Sequence, residues 1–466
     1  MTTPAQDVYE TVNPSVGKVV KTFPLSSDAE VRSAINIAEK VFQGDWRHRS
    51  ISERTQIVSR SAALLKQNAE QHAQLITLET GKLIDQARWE IGVSADILAY
   101  YAETAETFLK ISKIPNEDAV VVTEPIGVIL AIEPWNFPYY QLARVAGPQL
   151  MAENVVIVKP APSTPQCATA FARLFDEAGA PAGVYTNLMC SIEQVNTLID
   201  DFRVRGVTLT GSERAGASVA ERAGKNLKKV VLELGGSDPF LVLEDADLEG
   251  TIDAAVAGRL MCTGQACAAS KRFIVIGEER AEAFLKGLVR RLKGLEAGEP
   301  TDSKTTIGPV ASQRGLELLL SQVKGAVDNG ARIVAGGKRI QRPGFYVEPT
   351  IITGISRENP LFNQETFGPV FSIYATENDE KAIDLANATP FGLGASVYSG
   401  NDEHAQRVAQ SLDCGMVFIN TPIYTNAHMP WGGVKNSGFG RELGGELGIL
   451  EFVNKKMIRT TVKSKI

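Results

Sequence analysis

The stretch NVVIVKPAPSTPQCATAFARLFDEAG, residues 154–179, places a strand signal directly before a helix signal. Its apolar, β-branched run ends at Lys159 and is followed by prolines, as expected at the end of a buried strand. The second half has the apolar spacing of a helix and ends at Gly179. Apolar strands that alternate with helices build a parallel sheet covered on both faces. The stretch therefore predicts a doubly wound α/β domain.

The same alternation continues in both directions along the chain. Short β-branched runs that end in Gly, Pro or Asp occur in VVVTEPIGVILAIEP, GVTLTGS, VVLELGG and FLVLED. A second series of strand and helix patterns follows Cys267 and extends from KRFIVIG to GMVFIN. This second series is long enough for a second α/β domain.

The two ends of the chain carry other patterns. Upstream of the strands the sequence is helical, and Ser27 with Glu30 and Ser50 with Glu53 match two capping boxes. The tail, residues 451–466, alternates like a strand but has no obvious partner nearby. A terminal strand of this kind often pairs with another subunit, so the tail indicates an oligomer.

Length and composition exclude several classes of protein. A chain of 466 residues predicts two or three domains, and 44% hydrophobic with 22% charged residues is typical of a folded soluble protein. The net charge is -6 and no Lys/Arg block occurs, which predicts no nucleic-acid partner. No apolar run reaches the ~20 residues that cross a bilayer. The N-terminus lacks a signal-peptide pattern, so we expect a cytoplasmic protein without a membrane partner.

The cysteines and histidines predict neither disulfides nor a metal site. Five cysteines form an odd, sparse set, and the four histidines are scattered without the spacing of a zinc site. Two of the cysteines, Cys262 and Cys267, lie in MCTGQACAAS among small residues. From the residues alone, one of them could be a nucleophile, the two could be a redox pair, or both could be buried thiols.

Polar residues follow several of the predicted strands, where open α/β sheets bind their ligands. Gly211 and Ser212 end one strand and open a helix, which fits either a phosphate loop or a tight turn. Glu233 ends another strand 22 residues later and could bind a ribose. Asn136, between prolines and aromatic residues, fits either a rigid turn or an amide that donates to an oxyanion.

Seven motifs occur together in one order along nearly the whole chain. They are PWNFP at 134–138, a strand that ends at Lys159, LTGS at 209–212, LELGG at 232–236, GQAC at 264–267, ETFGP at 365–369 and PWGGVKNSGFGREL at 430–443. In identity and order these motifs resemble the NAD(P)-dependent aldehyde dehydrogenase superfamily.

The resemblance implies an α/β fold with three parts. It implies a Rossmann-type cofactor-binding domain from residues 1–107 and 125–233, and an α/β catalytic domain from residues 234–443. Residues 108–124 and 444–466 would form a small β element for oligomerisation, as a homodimer or a homotetramer.

The resemblance also implies the catalytic roles. Cys267 would add to an aldehyde carbonyl to give a thiohemiacetal, and loss of a hydride would leave a thioester. Asn136 and the backbone N–H of Cys267 would stabilise the oxyanion. Glu233 would activate the water that hydrolyses the thioester, a role that displaces the ribose-binding interpretation.

The remaining motifs would hold the cofactor. Glu365 would bind the nicotinamide ribose, with Phe367 and Trp135 near it. Gly211 and Ser212 would serve the phosphates.

The cofactor preference depends on the residues that follow Lys159, which would serve the adenosine ribose. Relatives that strongly prefer NAD carry a Glu three residues after this lysine. Here that position is Pro162, followed by Ser163. Without that carboxylate, Lys159 and Ser163 could contact a 2′-phosphate, which favours NADP and leaves use of NAD open.

Two departures, at Cys262 and Met261, bear on the nucleophile and the substrate. Many relatives have Asn where this chain has Cys262, which we interpret as a small buried residue rather than a redox partner. The length of the chain and its motif LELGGSDPF resemble those of the shorter bacterial succinate-semialdehyde dehydrogenases. In such enzymes an Arg at the position of Arg144 lies near the substrate carboxylate. A second Arg of some relatives is Met261 here, so Arg144 is either a substrate ligand or structural.

Three alternatives remain beside oxidation of succinate semialdehyde. A broad-specificity aldehyde dehydrogenase would act on other small or aliphatic aldehydes. A CoA-acylating enzyme typically lacks the base, so Glu233 argues against it. A catalytically silent member of the family is disfavoured by the intact set of Asn136, Glu233 and Cys267.

Overall fold

The computed structural model describes residues 8–460 of the chain. Residues 1–7 and 461–466 lie outside the described residues. They include the start that was expected to lack a signal peptide and the last part of the predicted terminal strand.

The described strands are mostly short. They are β1 (Tyr9–Asn13), β2 (Lys18–Phe23), β3 (Ser112–Lys113), β4 (Ala119–Pro125), β5 (Val128–Ile132), β6 (Val155–Lys159), β7 (Tyr185–Asn187), β8 (Val204–Thr210), β9 (Lys229–Glu233), β10 (Pro239–Val242), β11 (Arg272–Ile276), β12 (Arg332–Ala335), β13 (Thr350–Thr353), β14 (Val370–Thr376), β15 (Gly394–Tyr398), β16 (Met416–Ile419), β17 (Pro430–Trp431), β18 (Gly438–Phe439), β19 (Glu442–Leu443) and β20 (Val453–Arg459).

The helices alternate with the strands over most of the chain. They are α1 (Asp28–Gly44), α2 (Ile51–Gln67), α3 (Ala69–Thr80), α4 (Ile84–Phe108), α5 (Tyr140–Met151), α6 (Pro165–Ala178), α7 (Ile192–Asp200), α8 (Glu213–Lys225), α9 (Leu248–Leu260), α10 (Glu278–Leu292), α11 (Gln313–Asp328), α12 (Asp379–Asn387), α13 (Asp402–Gln410) and α14 (Glu446–Ile449). None of those in residues 8–460 is long and apolar enough to span a membrane.

The first large sheet has the strand order β7-β6-β5-β8-β9, with β18 added antiparallel to β9. The other five strands are parallel. Chain order reverses between β5 and β8, which is the switch point where a doubly wound sheet opens its ligand crevice. This confirms the Rossmann-type part of the predicted fold.

The second large sheet has the order β12-β13-β14-β11-β10-β15-β16, and every pair except β12-β13 is parallel. Its strands are apolar on both faces. In β11, Phe273 and Val275 join one hydrophobic cluster, whereas Ile274 and Ile276 join another. Because side chains alternate along a strand, each cluster lies on one face of the sheet. The second predicted α/β unit is therefore confirmed as a fold.

A third, antiparallel sheet has the order β20-β4-β3. It joins the last described strand to a hairpin that follows α4, so the predicted terminal strand has a partner far away in sequence. The sheet lies within the ranges expected to form the oligomerisation element. The division of the chain into domains, with the bounds given above, stays a prediction.

The two predicted capping boxes are confirmed. Ser27 accepts from the N–H of Glu30 while the Glu30 carboxylate accepts from the N–H of Ser27, and Ser50 pairs with Glu53 in the same way. Each box satisfies two of the donors that a helix start leaves unpaired.

Candidate active site

The loop of Cys267 connects α9 to β11 and has an unusual backbone. Cys262 and Thr263 both have positive φ values, 52° and 54°, and Gly264 follows with 78°. A Cβ on Gly264 would lie 2.4 Å from the carbonyl oxygen of Gly368, so the loop requires glycine there. The tight turn places Cys267 with partial exposure at the wall of a cavity.

The cavity has a volume of about 380 Å³, large enough for a small organic substrate. Most of its wall is aromatic or aliphatic, and Arg144 is the charged residue in it. The wall is formed by Trp89, Phe137, Tyr140, Gln141, Arg144, Ala257, Gly258, Met261, Ala266, Cys267, Ala268, Ala269, Thr421, Pro422, Ile423, Tyr424, Thr425 and Trp431.

Charged groups on several sides act on the Cys267 thiol. Burial raises its pKa to about 12, and the cations of Lys271 and Arg144 work against this shift. The carboxyl groups of Glu365 and Glu233 add to it. The thiolate therefore depends on the two cations for its stabilisation.

Lys271 connects the loop of Cys267 with Glu365. Its ammonium group donates to the carbonyl oxygens of Ala266, Cys267 and Ala269, at 3.2, 2.5 and 3.2 Å. The same nitrogen lies 3.2 Å from Glu365 Oε1. Nothing in the sequence marks Lys271 as part of the site, because a lysine next to the start of a strand is ordinarily a solvated charge.

Glu365 is held close to the LELGG motif. Its Oε1 accepts the backbone N–H of Gly236 at 3.2 Å. A Cβ on Gly235 would lie 2.5 Å from Glu365 Oε2, so the glycine leaves room for the carboxylate. The rings of Phe367 and Trp135 meet edge to face with centroids 5.6 Å apart. The predicted cofactor residues Glu365, Phe367 and Trp135 thus lie beside the loop of Cys267, with Glu365 in one group and the two rings in another.

Asn136 follows β5 and is buried, with 4% of its surface exposed. Its Nδ2 donates to the carbonyl oxygen of Gln265 at 3.0 Å, two residues before the nucleophile. An amide nitrogen carries a second hydrogen, which remains for a ligand. The structure therefore brings the predicted oxyanion donor to the loop of Cys267.

Glu233 is the last residue of β9 and is 3% exposed. Within the described residues, its Oε1 accepts no hydrogen bond. Burial raises its pKa to about 8, Arg144 and Arg441 lower it, and Glu442 adds to the rise. A Cβ on Gly432 would lie 2.8 Å from Glu233 Oε1. A buried carboxyl with a pKa near neutrality suits a general base.

Arg144 lies on α5 and is 1% exposed. Its Nε lies 2.5 Å from Glu442 Oε2, and its Nη2 donates to Thr210 Oγ1 at 2.9 Å. Its Nη1 has no partner among the described residues. The guanidinium is thus anchored by one carboxylate, and both N–H groups of its Nη1 are without a partner among the described residues. Its role as a ligand of the substrate stays a prediction.

The remaining predicted cofactor residues lie along the carboxyl edge of the Rossmann-type sheet. Lys159 ends β6 and its Nζ lies 5.7 Å from the ring centroid of Tyr9. Ser163 follows in the next loop and is half-buried. Ser212 caps α8 and accepts the N–H of Ala215 at 3.3 Å, while the N–H of Gly211 donates to the carbonyl oxygen of Glu233 at 2.9 Å.

These residues fit a dinucleotide. The start of α8 presents backbone N–H groups and the positive end of the helix dipole at the switch point, where a pyrophosphate binds. Glu365 would offer its carboxylate to ribose hydroxyls. Lys159, the neutral Pro162 and Ser163 form the edge that an adenosine ribose would meet. No group of three or more His, Cys, Asp or Glu residues in positions 8–460 is arranged to hold a metal ion.

The sequence pattern does not predict several residues of the site, because only tertiary packing brings them there. Trp431 and Glu442 belong to the PWGGVKNSGFGREL motif, which gave no hint that one lines the cavity and the other holds Arg144. Cys262 is 1% exposed, and its thiol makes only a long contact of 3.6 Å with the carbonyl oxygen of Asn136. This agrees with a small packed residue.

The model of the aldehyde dehydrogenase family matches residues 1–458. Succinate-semialdehyde dehydrogenase [NADP(+)] of Deinococcus radiodurans is 46% identical over 453 residues, which cover 97% of this chain and 94% of that protein.

Solved structures share the whole fold. A structure of Gox0499, described for its cofactor and substrate selection, is 50% identical with a TM-score of 0.95 and covers 97% of this chain and 100% of its own. Succinic semialdehyde dehydrogenase from Streptococcus pyogenes, in complex with NADP⁺, is 42% identical with a TM-score of 0.95, covering 97% and 99%.

The position of Lys271 predicts the reactivity of Cys267 toward iodoacetamide. Alkylation should rise with pH, because the thiol is mostly protonated near neutrality. Lys271→Met should slow it roughly tenfold at a fixed pH, the effect of about one unit in the thiol pKa. Lys271→Arg keeps the charge and should stay close to the unmodified protein. Peptide mapping of the labelled cysteine gives the rate, and equal rates in both variants would contradict the role of the charge.

Proposed function

Because the chain belongs to the aldehyde dehydrogenase family, we propose that it oxidises succinate semialdehyde to succinate with NADP⁺. The observation that carries the proposal is the cavity in which Cys267 shares the wall with Arg144, with Asn136 and Glu233 close by. The names of the similar proteins from Deinococcus radiodurans and Streptococcus pyogenes support this substrate and this cofactor.

The first half of the reaction forms a bond at sulfur. The Cys267 thiolate adds to the aldehyde carbon, and the carbonyl oxygen becomes an oxyanion that accepts from Asn136 Nδ2 and from the N–H of Cys267. When bound, NADP⁺ would accept the hydride that leaves the thiohemiacetal carbon, so that a thioester remains on Cys267.

The second half releases the acid. Glu233 takes a proton from water, the water oxygen adds to the thioester carbon, and the C–S bond breaks to return the thiolate. The products are the carboxylic acid, which ionises to the carboxylate, and a protonated Glu233; the acid and Glu233 each release one proton to solvent. A carboxylate suffices as base here, which agrees with the small number of histidines in the chain.

The cofactor would lie along the edge of the Rossmann-type sheet. Glu365, with Phe367 and Trp135, would hold the nicotinamide end, and the start of α8 at Gly211 and Ser212 would bind the pyrophosphate. Lys159 and Ser163 would contact the 2′-phosphate, because Pro162 places no carboxylate against it.

A second candidate is a broad-specificity aldehyde dehydrogenase. It is favoured by the largely apolar wall of the cavity and by the pairing of Arg144 with Glu442, which already neutralises much of its charge. A substrate carboxylate would rely on the remaining donor, Nη1.

The assembly and the location of the protein complete the proposal. We propose a homodimer or homotetramer that forms through the β20-β4-β3 sheet, whose strand β20 exposes Met457 and Ile458 beside an edge that pairs with no other strand of residues 8–460. A cytoplasmic location stays a prediction.

A substrate panel tests the function. With NADP⁺, kcat/KM for succinate semialdehyde should exceed that for butanal by roughly tenfold or more, since a charge-assisted hydrogen bond contributes about 1.5–3 kcal/mol. NAD⁺ should give a lower kcat/KM.

Arg144→Lys should raise KM for succinate semialdehyde and leave KM for butanal nearly unchanged. Equal use of both aldehydes would favour the broad-specificity enzyme, and formation of acyl-CoA on adding CoA would contradict hydrolysis.

The two neighbouring cysteines should differ in their effect on turnover. Cys267→Ala should abolish NADPH formation, because the sulfur forms the covalent bond to the substrate. Cys262→Ala should retain most of it, because that thiol is packed and makes one long contact. Absorbance of NADPH in the steady state measures both, and an equal loss in the two variants would exclude a single nucleophile.

Turnover should depend on pH through Glu233. Only the ionised carboxylate accepts a proton, so with a pKa of about 8 the hydrolytic step should accelerate as pH rises, roughly tenfold per unit below that value. Glu233→Gln should be slow at every pH and lose this rise. A pH profile of kcat checks this, and an unchanged profile in the variant would assign the base to another group.

A further inference from the structure

We propose that Lys82 and Glu90 form a buried clamp that positions Asn136 for the oxyanion, an inference that rests on the proposed function. Lys82 lies between α3 and α4, and Glu90 lies on α4. Neither side chain is exposed, and the ammonium and carboxylate groups contact each other directly. Because neither side chain is exposed, water does not screen the attraction between the two charges.

Stability alone gives a weak reason for such a pair. Removing two charges from water costs several kcal/mol for each ion, and the attraction between them often does no more than offset that cost. The polar groups that the pair serves are therefore the informative feature. Apart from each other, the ammonium group of Lys82 and the carboxylate of Glu90 form hydrogen bonds only with the segment that contains Asn136, among the described residues.

The contacts of the clamp cover residues 136–140. Lys82 Nζ donates to the carbonyl oxygen of Asn136 at 2.8 Å. Glu90 Oε1 accepts the N–H groups of Tyr139 and Tyr140, at 2.8 and 3.2 Å. Tyr139 precedes α5 and provides no side-chain cap, so the Glu90 carboxylate takes the place of the cap. The clamp thus fixes both the turn and the helix start that follow β5.

The side chain of Asn136 is fixed from the opposite direction by the nucleophile loop. Its Nδ2 donates to the carbonyl oxygen of Gln265 at 3.0 Å. The Gln265 side chain in turn donates to the carbonyl oxygen of Cys262 at 3.0 Å and accepts the N–H of Ala311 at 2.9 Å. Clamp and loop together determine where the second amide hydrogen of Asn136 points.

A donor to an oxyanion acts only if it is already in place when charge develops, because its orientation then requires no rearrangement. Lys82 and Glu90 do not themselves line the cavity and do not contact Cys267, although they contact two residues of the wall, Phe137 through its ring and Tyr140 through its N–H. They are positioning residues that act through Asn136, and their effect should disappear when the amide is absent.

The test removes both charges at once, in Lys82→Met/Glu90→Gln, so that no buried ion is left unpaired. We expect a folded protein with Cys267 alkylation by iodoacetamide within about twofold of the unmodified enzyme, since alkylation forms no oxyanion. The burst of NADPH should slow roughly 10- to 100-fold, with KM for the aldehyde little changed. If this variant does not fold, Lys82→Gln/Glu90→Gln replaces it with the same expected result.

The matched control is Arg54→Met/Glu153→Gln. Arg54 is 2% exposed and pairs with Glu153 at 3.1 Å, outside the cavity wall. This control removes a pair whose arginine is buried and whose glutamate is partly exposed, and it should leave the burst rate within about twofold of the unmodified enzyme, because the pair does not contact the segment of Asn136. An equal slowing in the control would show that loss of any buried pair suffices and would overturn the clamp.

A double-mutant cycle with Asn136→Ala gives the decisive comparison. Asn136→Ala alone should slow the burst about 10²- to 10³-fold, and adding the clamp variant should slow it no further. Multiplied losses in the combined variant would overturn the clamp and leave the role of Asn136 intact. If Asn136→Ala itself kept its burst rate, the proposed oxyanion role would fail, and the clamp with it.

Discussion

The site depends on opposing charges held around one thiol in a largely apolar cavity. Burial disfavours the Cys267 thiolate, and two cations, Lys271 and Arg144, work against that effect. Each cation is paired with a carboxylate, Glu365 for the lysine and Glu442 for the arginine. Neither cation can be moved without leaving a buried charge unpaired. The positions of Cys267, Glu233 and Glu365 are thereby linked.

This linkage gives the glycine-rich motifs a physical role. Gly235 and Gly432 leave the space that the carboxylates of Glu365 and Glu233 occupy. Gly264 allows the nucleophile loop to pass against the carbonyl oxygen of Gly368. A side chain at any of these positions would displace a group that the charge arrangement requires.

The sequence predicted the elements well and the contacts between them poorly. Strand and helix signals such as those in residues 154–179 are local, and the fold class they predict is confirmed by the strand order of both large sheets. Residues at strand ends, such as Glu233 and Asn136, could be found because parallel strands deliver their ends to one edge.

Lys82, Glu90 and Lys271 could not be found in this way. Each looks like a surface charge in the sequence, and only tertiary packing buries them and supplies their partners. The Arg144–Glu442 pair, which joins positions about three hundred residues apart, likewise has no local signal. The pairing of the last described strand with β4 likewise has no local signal, and only the family resemblance implied that these two parts of the chain form one element.

The central claim is that Cys267 carries the acyl group and Glu233 releases it. The most direct measurement is peptide mapping by mass spectrometry of Glu233→Gln enzyme that is mixed with succinate semialdehyde and NADP⁺ and quenched in acid. The account predicts a succinyl thioester on Cys267, in amounts equal to the NADPH formed in the burst. An adduct on Cys262, or NADPH formed without any acylated cysteine, would contradict it.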